Sequence, residues 1–408
     1  MTPVDTISRI TSAGPRWPGM RGERKAAEFV AAKLRATGRA VEVEPIRVRP
    51  AWPLTYALYA ALGVVGNVVS VYVPPVGVAL LLLAAVSMYG DLTARFYVLR
   101  RLFPRRDSEN VTARGLSPEA PARLIVTANH DAARSGLIFN RRRRPPPRPF
   151  RRLATLASRT DLVFWVLILS LALALVRLFA GFEASEARPL TIAQFVCTAL
   201  LLTAVTLFVD VALSDPVPGA NGNASGVAAM LELGRRLYER PPQNLDVWLV
   251  SPGAKEGLML GMREWMRSHA DELDPRRTFF LNLDSVGRGN VRVVGSEGFV
   301  IIYRHDARLI DLATAHARDE LERQPYTWRC GTDGTIPAMR GFSSLTLCAT
   351  DPHGRVPDFH GQSDTANRIE TESIERAVDL AAALIADIDS KLVPSQLPSL
   401  QAGREGVL

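Results

Sequence analysis

The sequence has 408 residues, of which 47% are hydrophobic, and a formal net charge of +8 from 49 Lys and Arg against 41 Asp and Glu. The apolar residues form long runs and many of the basic residues cluster beside these runs, a segregation that indicates a membrane protein. Three cysteines, Cys197, Cys330 and Cys348, are too few and too irregularly spaced for a disulfide framework or a cysteine metal site, and they fit a reducing compartment.

The chain begins with a segment that predicts a helix followed by a strand. The apolar residues of GERKAAEFVAAKLRATG recur at the spacing of one helix face, and Gly38 suits the C-terminal cap. Residues 41–48 then begin with alternating apolar and acidic residues, which is typical of a strand with one solvent-exposed face. No cleavable secretory signal precedes Pro53.

Four apolar runs approach the roughly 20 residues that a helix needs to cross a bilayer. They form two pairs, 53–73 with 76–90 and 162–182 with 190–213, each joined by a short turn or polar link. Buried core helices are the alternative, above all for the run 76–90, which is short and soon meets Asp91 and Arg95. We expect two transmembrane hairpins.

Arginines give the orientation of these hairpins. Clusters follow the first pair and precede the second, whereas the link within each pair is almost free of basic residues. By the positive-inside rule, the large segments and both termini face the cytoplasm of a multi-pass cell-membrane protein. We assign the clusters to topology and to contact with anionic lipid in the bilayer, and expect no nucleic-acid partner because no recognition motif accompanies them.

The remaining sequence alternates predicted strands and helices, which indicates an α/β layer structure. Strands are expected at 110–113, 123–128, 246–251, 278–284 and 344–348, and helices at 226–238, 258–269, 306–322 and 373–391. The predicted organisation is one domain in three parts, interrupted by two hairpins. The three parts are 1–52, 91–160 with an Arg/Pro-rich loop, and 214–392; the hairpins are 53–90 and 161–213; a flexible tail covers 393–408.

Seven stretches occur in the order found in one enzyme family. They are RWPGMRGERKAAEFVAAKLRATGRAVEVEPI, SENVTA, RLIVTANHDAA, GANGNASGVAAMLEL, GAKEGLMLG, FFLNLDSVG and DFHGQSDT. Together they resemble the co-catalytic zinc aminopeptidases, the metallopeptidases related to glutaminyl cyclase and the transferrin receptor ectodomain. The resemblance implies a three-layer α/β domain with a mixed, mostly parallel sheet, here interrupted by transmembrane hairpins.

The family's chemistry uses two zinc ions, a bridging carboxylate and a glutamate that acts as general base on the metal-bound water. Aligned without gaps, the motifs retain three ligand positions as Glu256, Asp284 and His360. Two ligand positions are replaced, a histidine by Asn129 and the bridging aspartate by Gly222. Lys255 stands at the general-base position, and the supporting aspartates remain as Asp131 and Asp364.

Two alternative assignments involve residues next to these motifs. A one-residue slip would bring His130 to the ligand position, but successive side chains of a strand point to opposite faces unless a bulge intervenes. Ser225 lies in a loop-to-helix turn without identifiable histidine and acid partners, which argues against a serine hydrolase.

Gly222 in place of an aspartate and Lys255 in place of a glutamate make the pocket more positive than the family pattern. We therefore expect an internal ion pair, with the Lys255 ammonium among Glu256, Asp284 and Asp131, in place of the metal centre, so that at most one zinc ion binds. The expected function is a pseudoenzyme that binds or scaffolds a peptide or protein partner. The alternatives are an active aminopeptidase or amide-forming cyclase with a reduced metal site, and a transporter component.

Overall fold

A computed structural model describes residues 1–139, 160–180 and 187–393, and nine strands of this part of the chain form a single sheet. The strands are β1 (Val41–Val48), β2 (Arg106–Ala113), β3 (Ala122–Thr127), β4 (Leu245–Ser251), β5 (Thr278–Leu283), β6 (Asn290–Glu297), β7 (Tyr303–Arg304), β8 (Tyr326–Trp328) and β9 (Ser343–Thr350). Their order is β1-β2-β4-β3-β5-β9-β6-β7, and β8 also pairs with β6. The central strands β4, β3, β5 and β9 are parallel, whereas β1, β2 and β6 join antiparallel.

Helices cover both faces of the sheet, which explains why its central strands are continuous apolar runs. Leu124 and Val126 of β3 point into one core, and Ile125 between them points into the other. The first core is closed by helices Pro3–Thr11, Arg21–Arg35, Ser225–Glu239, Ala307–Ala315 and Thr371–Asp387, and the second by helices Leu260–Ser268 and Thr335–Met339. The expected three-layer α/β fold with a mixed sheet is confirmed.

Some predicted boundaries were wrong. The single helix expected over 306–322 is two helices, Ala307–Ala315 and Glu320–Arg323, because Asp319 starts a new helix by accepting a hydrogen bond from Glu322 N. The strand expected at 110–113 begins at Arg106, since its whole length pairs with β1. The Arg/Pro-rich loop and almost all of the predicted tail lie outside the described residues.

Four helices are long and apolar enough to cross a membrane by length and composition. Helices Trp52–Tyr72 and Pro74–Leu92 form the first hairpin, between β1 and β2. Helices Thr160–Ala180 and Arg188–Leu213 form the second, between β3 and helix Ser225–Glu239. Each hairpin therefore separates parts of the chain that meet again in the same domain.

The two hairpins pack against each other and expose apolar side chains outwards. Asn67 Nδ2 donates to Ser170 Oγ at 3.0 Å, and Gln194 Nε2 donates to Ser70 Oγ at 2.9 Å, so hydrogen bonds between buried side chains join the hairpins. Exposed apolar residues on the outside of the bundle include Val65, Val68, Leu82, Val86, Trp165, Leu169, Phe195 and Leu202. A monomeric soluble protein rarely exposes such a surface, whereas a bilayer would cover it.

An ion pair without solvent exposure attaches the first hairpin to the domain. Arg100 Nε lies 3.1 Å from Asp91 Oδ2, which also accepts a hydrogen bond from Tyr59 OH at 2.9 Å. A second nitrogen of Arg100 donates to the carbonyl oxygen of Gly257 at 2.9 Å. The end of the first hairpin is thereby fixed to the loop that follows β4.

Candidate functional site

The predicted site residues lie at the carboxyl ends of the parallel strands. Asn129 and Asp131 follow β3, Lys255 and Glu256 follow β4, and Asp284 follows β5. Because parallel strands end at one edge of a sheet, these loops converge there, which is where ligands bind in open α/β sheets. Gly222 and Asp364 reach the same edge from loops, and so does His360.

The ammonium group of Lys255 lies between two carboxylates. Its Nζ atom is 3.0 Å from Glu256 Oε1 and 3.1 Å from Asp284 Oδ2, and all three side chains are buried. Burial alone would lower the pKa of Lys255, but Asp284 and then Glu256 outweigh it and hold this pKa well above the usual range. The pKa of Glu256 is lowered despite its burial, because the charge of Lys255 and the ring of His360 lie beside it. Lys255 is therefore a fixed cation and not a base.

Asp131 supports the loop of Glu256 and forms no ion pair with Lys255. Its two oxygens accept hydrogen bonds from Glu256 N at 2.8 Å and Asn129 Nδ2 at 2.9 Å, so it supports the loop of Glu256. Burial and the neighbouring Glu256 raise its pKa to about 7. The prediction that the Lys255 ammonium pairs with Asp131 is corrected, because its ion pairs are with Glu256 and Asp284.

Asn129 belongs to a chain of amides. Its Oδ1 atom accepts a hydrogen bond from Asn223 Nδ2 at 3.0 Å, and Asn223 Oδ1 accepts from Ser285 N at 3.0 Å. This chain connects the loops after β3 and β5 through neutral groups. Both the oxygen and the nitrogen of the Asn129 side-chain amide are thus hydrogen-bonded within the protein.

The Gly222 position has room for a side chain. A Cβ atom there would lie 3.5 Å from Ser285 Oγ and 3.8 Å from Asp364 Oδ2, which are ordinary van der Waals contacts. Asp364 accepts hydrogen bonds from Asn221 N at 2.6 Å and Gly222 N at 3.0 Å, and burial raises its pKa to about 6. Steric crowding therefore does not explain the glycine.

His360 lies between aromatic rings and faces Glu256. Its Nε2 atom is 3.4 Å from Glu256 Oε2, and its ring stacks on Phe359 at 3.9 Å and meets the edge of Phe139 at 4.6 Å. Burial lowers the pKa of His360, which favours the neutral imidazole. The retained Glu256, Asp284 and His360 positions therefore do come together, around Lys255.

The two alternative residues lie away from this centre. His130 is fully buried, contacts Ser251 Oγ through Nδ1 at 3.0 Å, and has its pKa lowered to about 3 by burial and by Arg16. Ser225 Oγ donates to the carbonyl oxygen of Asn221 at 2.6 Å. Neither contacts Lys255 or its carboxylate partners by hydrogen bond or ion pair.

Two buried carboxyl groups near the site were missed by the sequence analysis. Both side-chain oxygens of Asp333 are buried without a hydrogen-bond partner, and burial holds its pKa well above the usual range. Glu23 accepts hydrogen bonds from Ala254 N and Ser108 Oγ, at 3.0 and 2.6 Å, and so supports the loop that carries Lys255. Glu23 lies in the first of the seven stretches that resemble the family, whereas Asp333 lies in none of them.

The backbone around the site is strained. Six non-glycine residues there have positive φ, namely Ala254, Leu258, Met259, Ser285, Asp358 and His360. Such conformations cost of order 1–3 kcal/mol each and cluster at functional sites. The loops thus hold an unfavourable geometry around Lys255 and His360.

A cavity of about 800 Å³ opens beside the ion pair. Lys255, Glu256 and His360 are among its polar lining residues, which also include Asp210, Arg329, Asp351, Arg355 and Asp358. Phe139, Phe299, Trp328 and Phe359 contribute aromatic walls, and residues from both hairpins complete it. Its volume is within the range of small-molecule and peptide pockets.

The donor set does not fit two zinc ions. An ammonium group lies between Glu256 and Asp284, a glycine stands where a carboxylate would bridge the metals, and Asn129 is bonded within the protein. Within residues 1–139, 160–180 and 187–393, no group of three or more His, Cys, Asp or Glu side chains is placed to hold a metal ion.

Part of the chain is similar in sequence to a known family. Residues 206–385 match peptidase family M28. Aminopeptidase YwaD of Bacillus subtilis is 30% identical over 164 residues, which are 39% of this chain and 31% of that protein. The chain therefore spans about a third of the length of this curated relative.

Solved structures share the fold over nearly the whole chain. A zinc-dependent exopeptidase of Parabacteroides distasonis superimposes with a TM-score of 0.54 at 13% identity, covering 96% of this chain and 97% of the other. A glutaminyl cyclase of Bacteroides thetaiotaomicron gives 0.53 at 14% identity, covering 95% and 97%. The resemblance to the co-catalytic zinc aminopeptidases is thus confirmed, by the match of residues 206–385 to the peptidase M28 family and by the fold shared over nearly the whole chain.

Proposed function

We propose that this protein is a multi-pass membrane protein whose M28 domain does not hydrolyse peptides and instead binds a ligand at the carboxyl edge of its sheet. The observation that carries the proposal is the Lys255 ammonium, held between Glu256 and Asp284. In the related enzymes, as the sequence motifs imply, a glutamate general base would occupy the Lys255 position. A cation cannot accept the proton of an attacking water, so the step that needs a base has none at this position.

The charges around Lys255 also argue against a bound zinc ion and therefore against hydrolysis. The ion pairs neutralise the retained carboxylates, and a dication in the same space would meet a buried like charge. Zinc is the metal that the solved neighbours point to. The pair of Glu256 and His360 alone is one ligand short of the three that zinc catalytic sites usually have.

The retained geometry argues for a binding role. The loops around the site hold non-glycine residues at positive φ, and a cavity of about 800 Å³ adjoins them. Strain of this kind persists where the surrounding structure enforces it, typically at a site with a function. Binding needs the cavity but neither zinc nor a base.

Zinc content and peptide hydrolysis test the proposal together. The full-length protein, purified in detergent, should contain no stoichiometric zinc by elemental analysis and release no amino acid from peptide substrates after zinc is added. Stoichiometric zinc with turnover that Glu256→Ala abolishes would show an active enzyme with a reduced metal site. Such a result would overturn the proposal.

A second experiment restores the residues of the family pattern and measures zinc binding. We expect the combined variant Asn129→His, Gly222→Asp and Lys255→Glu to bind zinc, because Gly222 has room for a side chain and removal of Lys255 frees both carboxylates. The single variant Gly222→Asp, which retains Lys255, is the control and should remain without zinc. Zinc bound equally by both variants would show that Lys255 does not exclude the metal.

A further inference from the structure

The cavity beside Lys255 lies where the hairpins meet the domain. Trp52 begins helix Trp52–Tyr72, Asp210 lies in the last turn of helix Arg188–Leu213, and both side chains line the cavity. These are the domain-facing ends of two apolar helices that are long enough to cross a membrane. In a bilayer, such helix ends lie at the level of the lipid headgroups. The cavity therefore lies at the membrane interface of the proposed multi-pass protein.

The apolar wall of the cavity is continuous with the hydrophobic cluster inside the hairpin bundle. Trp52 and Tyr56 are buried members of that cluster and also line the cavity. From the domain, Phe139, Leu258 and Phe299 pack against the same cluster and line the cavity as well. The acyl chain of a membrane amphiphile matches such a wall, because burial of methylene groups favours its binding.

The loops after β8 and β9 give the same cavity a charged part. Asp351 and Arg355 form an ion pair at 3.0 Å, and Asp358 is paired with two arginines that do not line the cavity. Arg329, by contrast, is exposed and has no hydrogen bond or ion pair with any residue that the structure describes. Arg329 is thus a cation available to an anionic group of a ligand.

Asp210 supplies a charge of the opposite sign. Its Oδ2 atom accepts a hydrogen bond from Leu137 N at 2.6 Å, and no cation pairs with it within the described residues. Among the described lining residues, Arg329 and Asp210 are therefore the charged groups that lack an ionic partner. A zwitterionic headgroup carries the complementary charges, a phosphate for the guanidinium and a primary ammonium that can donate hydrogen bonds to the carboxylate.

We propose that the cavity binds a single-chain amphiphile with a zwitterionic phosphate headgroup, of the lysophosphatidylethanolamine type, taken from the membrane. Its acyl chain lies against the apolar wall, and its headgroup pairs with Arg329 and Asp210. The cavity volume of about 800 Å³ suits one chain with its headgroup. This inference rests on the proposed function, since it names the ligand class of the same non-hydrolytic site.

Photocrosslinking of the full-length protein in phosphatidylcholine nanodiscs tests the inference. The probe is lysophosphatidylethanolamine with a diazirine in its acyl chain, and mass spectrometry maps the crosslinked peptides. We expect labels around the cavity residues Phe139 and Phe299, in addition to labels at Trp165 and Phe195 on the outer surface of the bundle. Because bulk lipid produces the outer labels, they are the internal reference for each variant.

Two variants remove the headgroup contacts and leave the apolar wall intact. Arg329→Glu reverses the exposed cation, and Asp210→Asn removes a charge but keeps an oxygen that can accept from Leu137 N. Each should lower the ratio of cavity labels to outer labels about fivefold or more. Arg9→Glu is the matched control, because Arg9 is an exposed arginine on helix Pro3–Thr11, outside the cavity lining. It should leave the ratio unchanged.

Two further probes separate the headgroup from the chain. A diazirine monoacylglycerol, which has the chain without the charges, should label the outer surface only, and excess free phosphoethanolamine should not displace the lipid probe. Equal cavity labelling by the monoacylglycerol, displacement by phosphoethanolamine, or a ratio that neither Arg329→Glu nor Asp210→Asn lowers would overturn the inference. So would an equal loss of cavity labels in Arg9→Glu.

Zinc content and peptide hydrolysis, measured on the same preparation, distinguish this inference from the proposed function. Bound zinc with release of amino acids refutes the non-hydrolytic site. Absent zinc and an intact peptide, together with no cavity labels, refute only the ligand class.

Discussion

Arg100 and Asp91 form an ion pair in which neither side chain has any solvent exposure. Removing one partner of such a pair leaves a buried charge uncompensated, which typically costs about 3–5 kcal/mol. We expect Asp91→Ala to lower the unfolding temperature of the detergent-purified protein markedly. It should also loosen the loop at Gly257, to which Arg100 donates a hydrogen bond.

Asp107→Ala is the control for this prediction, because Asp107 pairs with Arg47 at 3.3 Å on the surface, with side chains 68% and 73% exposed. An exposed pair contributes about 0–1 kcal/mol. If the two variants unfold at the same temperature, the buried pair does not anchor the hairpin.

Lys255→Met should destabilise the domain more at alkaline than at acid pH. Without the ammonium, Glu256 and Asp284 are two buried carboxylates without a cation, and their pKa values should rise. An acid whose folded pKa is raised favours folding less as pH increases above its unfolded pKa. Thermal unfolding at about pH 5 and about pH 8 checks this, and a loss of stability equal at both values would contradict it.

Asp333→Asn tests the buried carboxyl group that has no hydrogen-bond partner. Burial raises the pKa of Asp333, so the wild type loses stability as pH rises from the unfolded value towards the folded one. Asparagine does not ionise. We therefore expect the variant to gain stability relative to the wild type between about pH 4 and about pH 8, measured as the difference in unfolding temperature. A constant difference would mean that Asp333 remains charged in the folded protein.

Sidedness remains a prediction from the arginine clusters, and cysteine labelling in intact cells can test it. In a variant without the three native cysteines, a cysteine at Tyr72, the exposed end of the first apolar helix, should react with an impermeant reagent from outside. A cysteine at Leu116, exposed in the domain, should react only after lysis. The reverse pattern would place the domain outside the cell.

The fold and the core of the site could be predicted because their signals are local. Glu256 and Asp284 each follow a short apolar strand, and the ends of parallel strands converge, so their meeting around Lys255 follows from the chain order. The pairing of Asp131 could not be predicted in the same way. It depends on the direction of the Glu256 amide, which a loop with positive φ determines.

The contacts between the hairpins and the domain also could not be predicted from the sequence. Arg100 reads as one member of a basic cluster, and nothing in its neighbours distinguishes it from exposed Arg101. Only packing places its guanidinium against Asp91 and Gly257. The aromatic rings around His360 are likewise far apart in sequence, since Phe139 and Phe359 come from separate loops.

The position of the hairpins within the chain has a consequence for biogenesis. β1 is synthesised before the first hairpin and its partner β2 after it, and β3 precedes the second hairpin whereas its neighbours β4 and β5 follow it. The sheet can therefore be completed only after both hairpins have been synthesised. If the hairpins span a bilayer, as we propose, insertion and folding become a single ordered process, and a failed insertion leaves unpaired strands exposed to proteases.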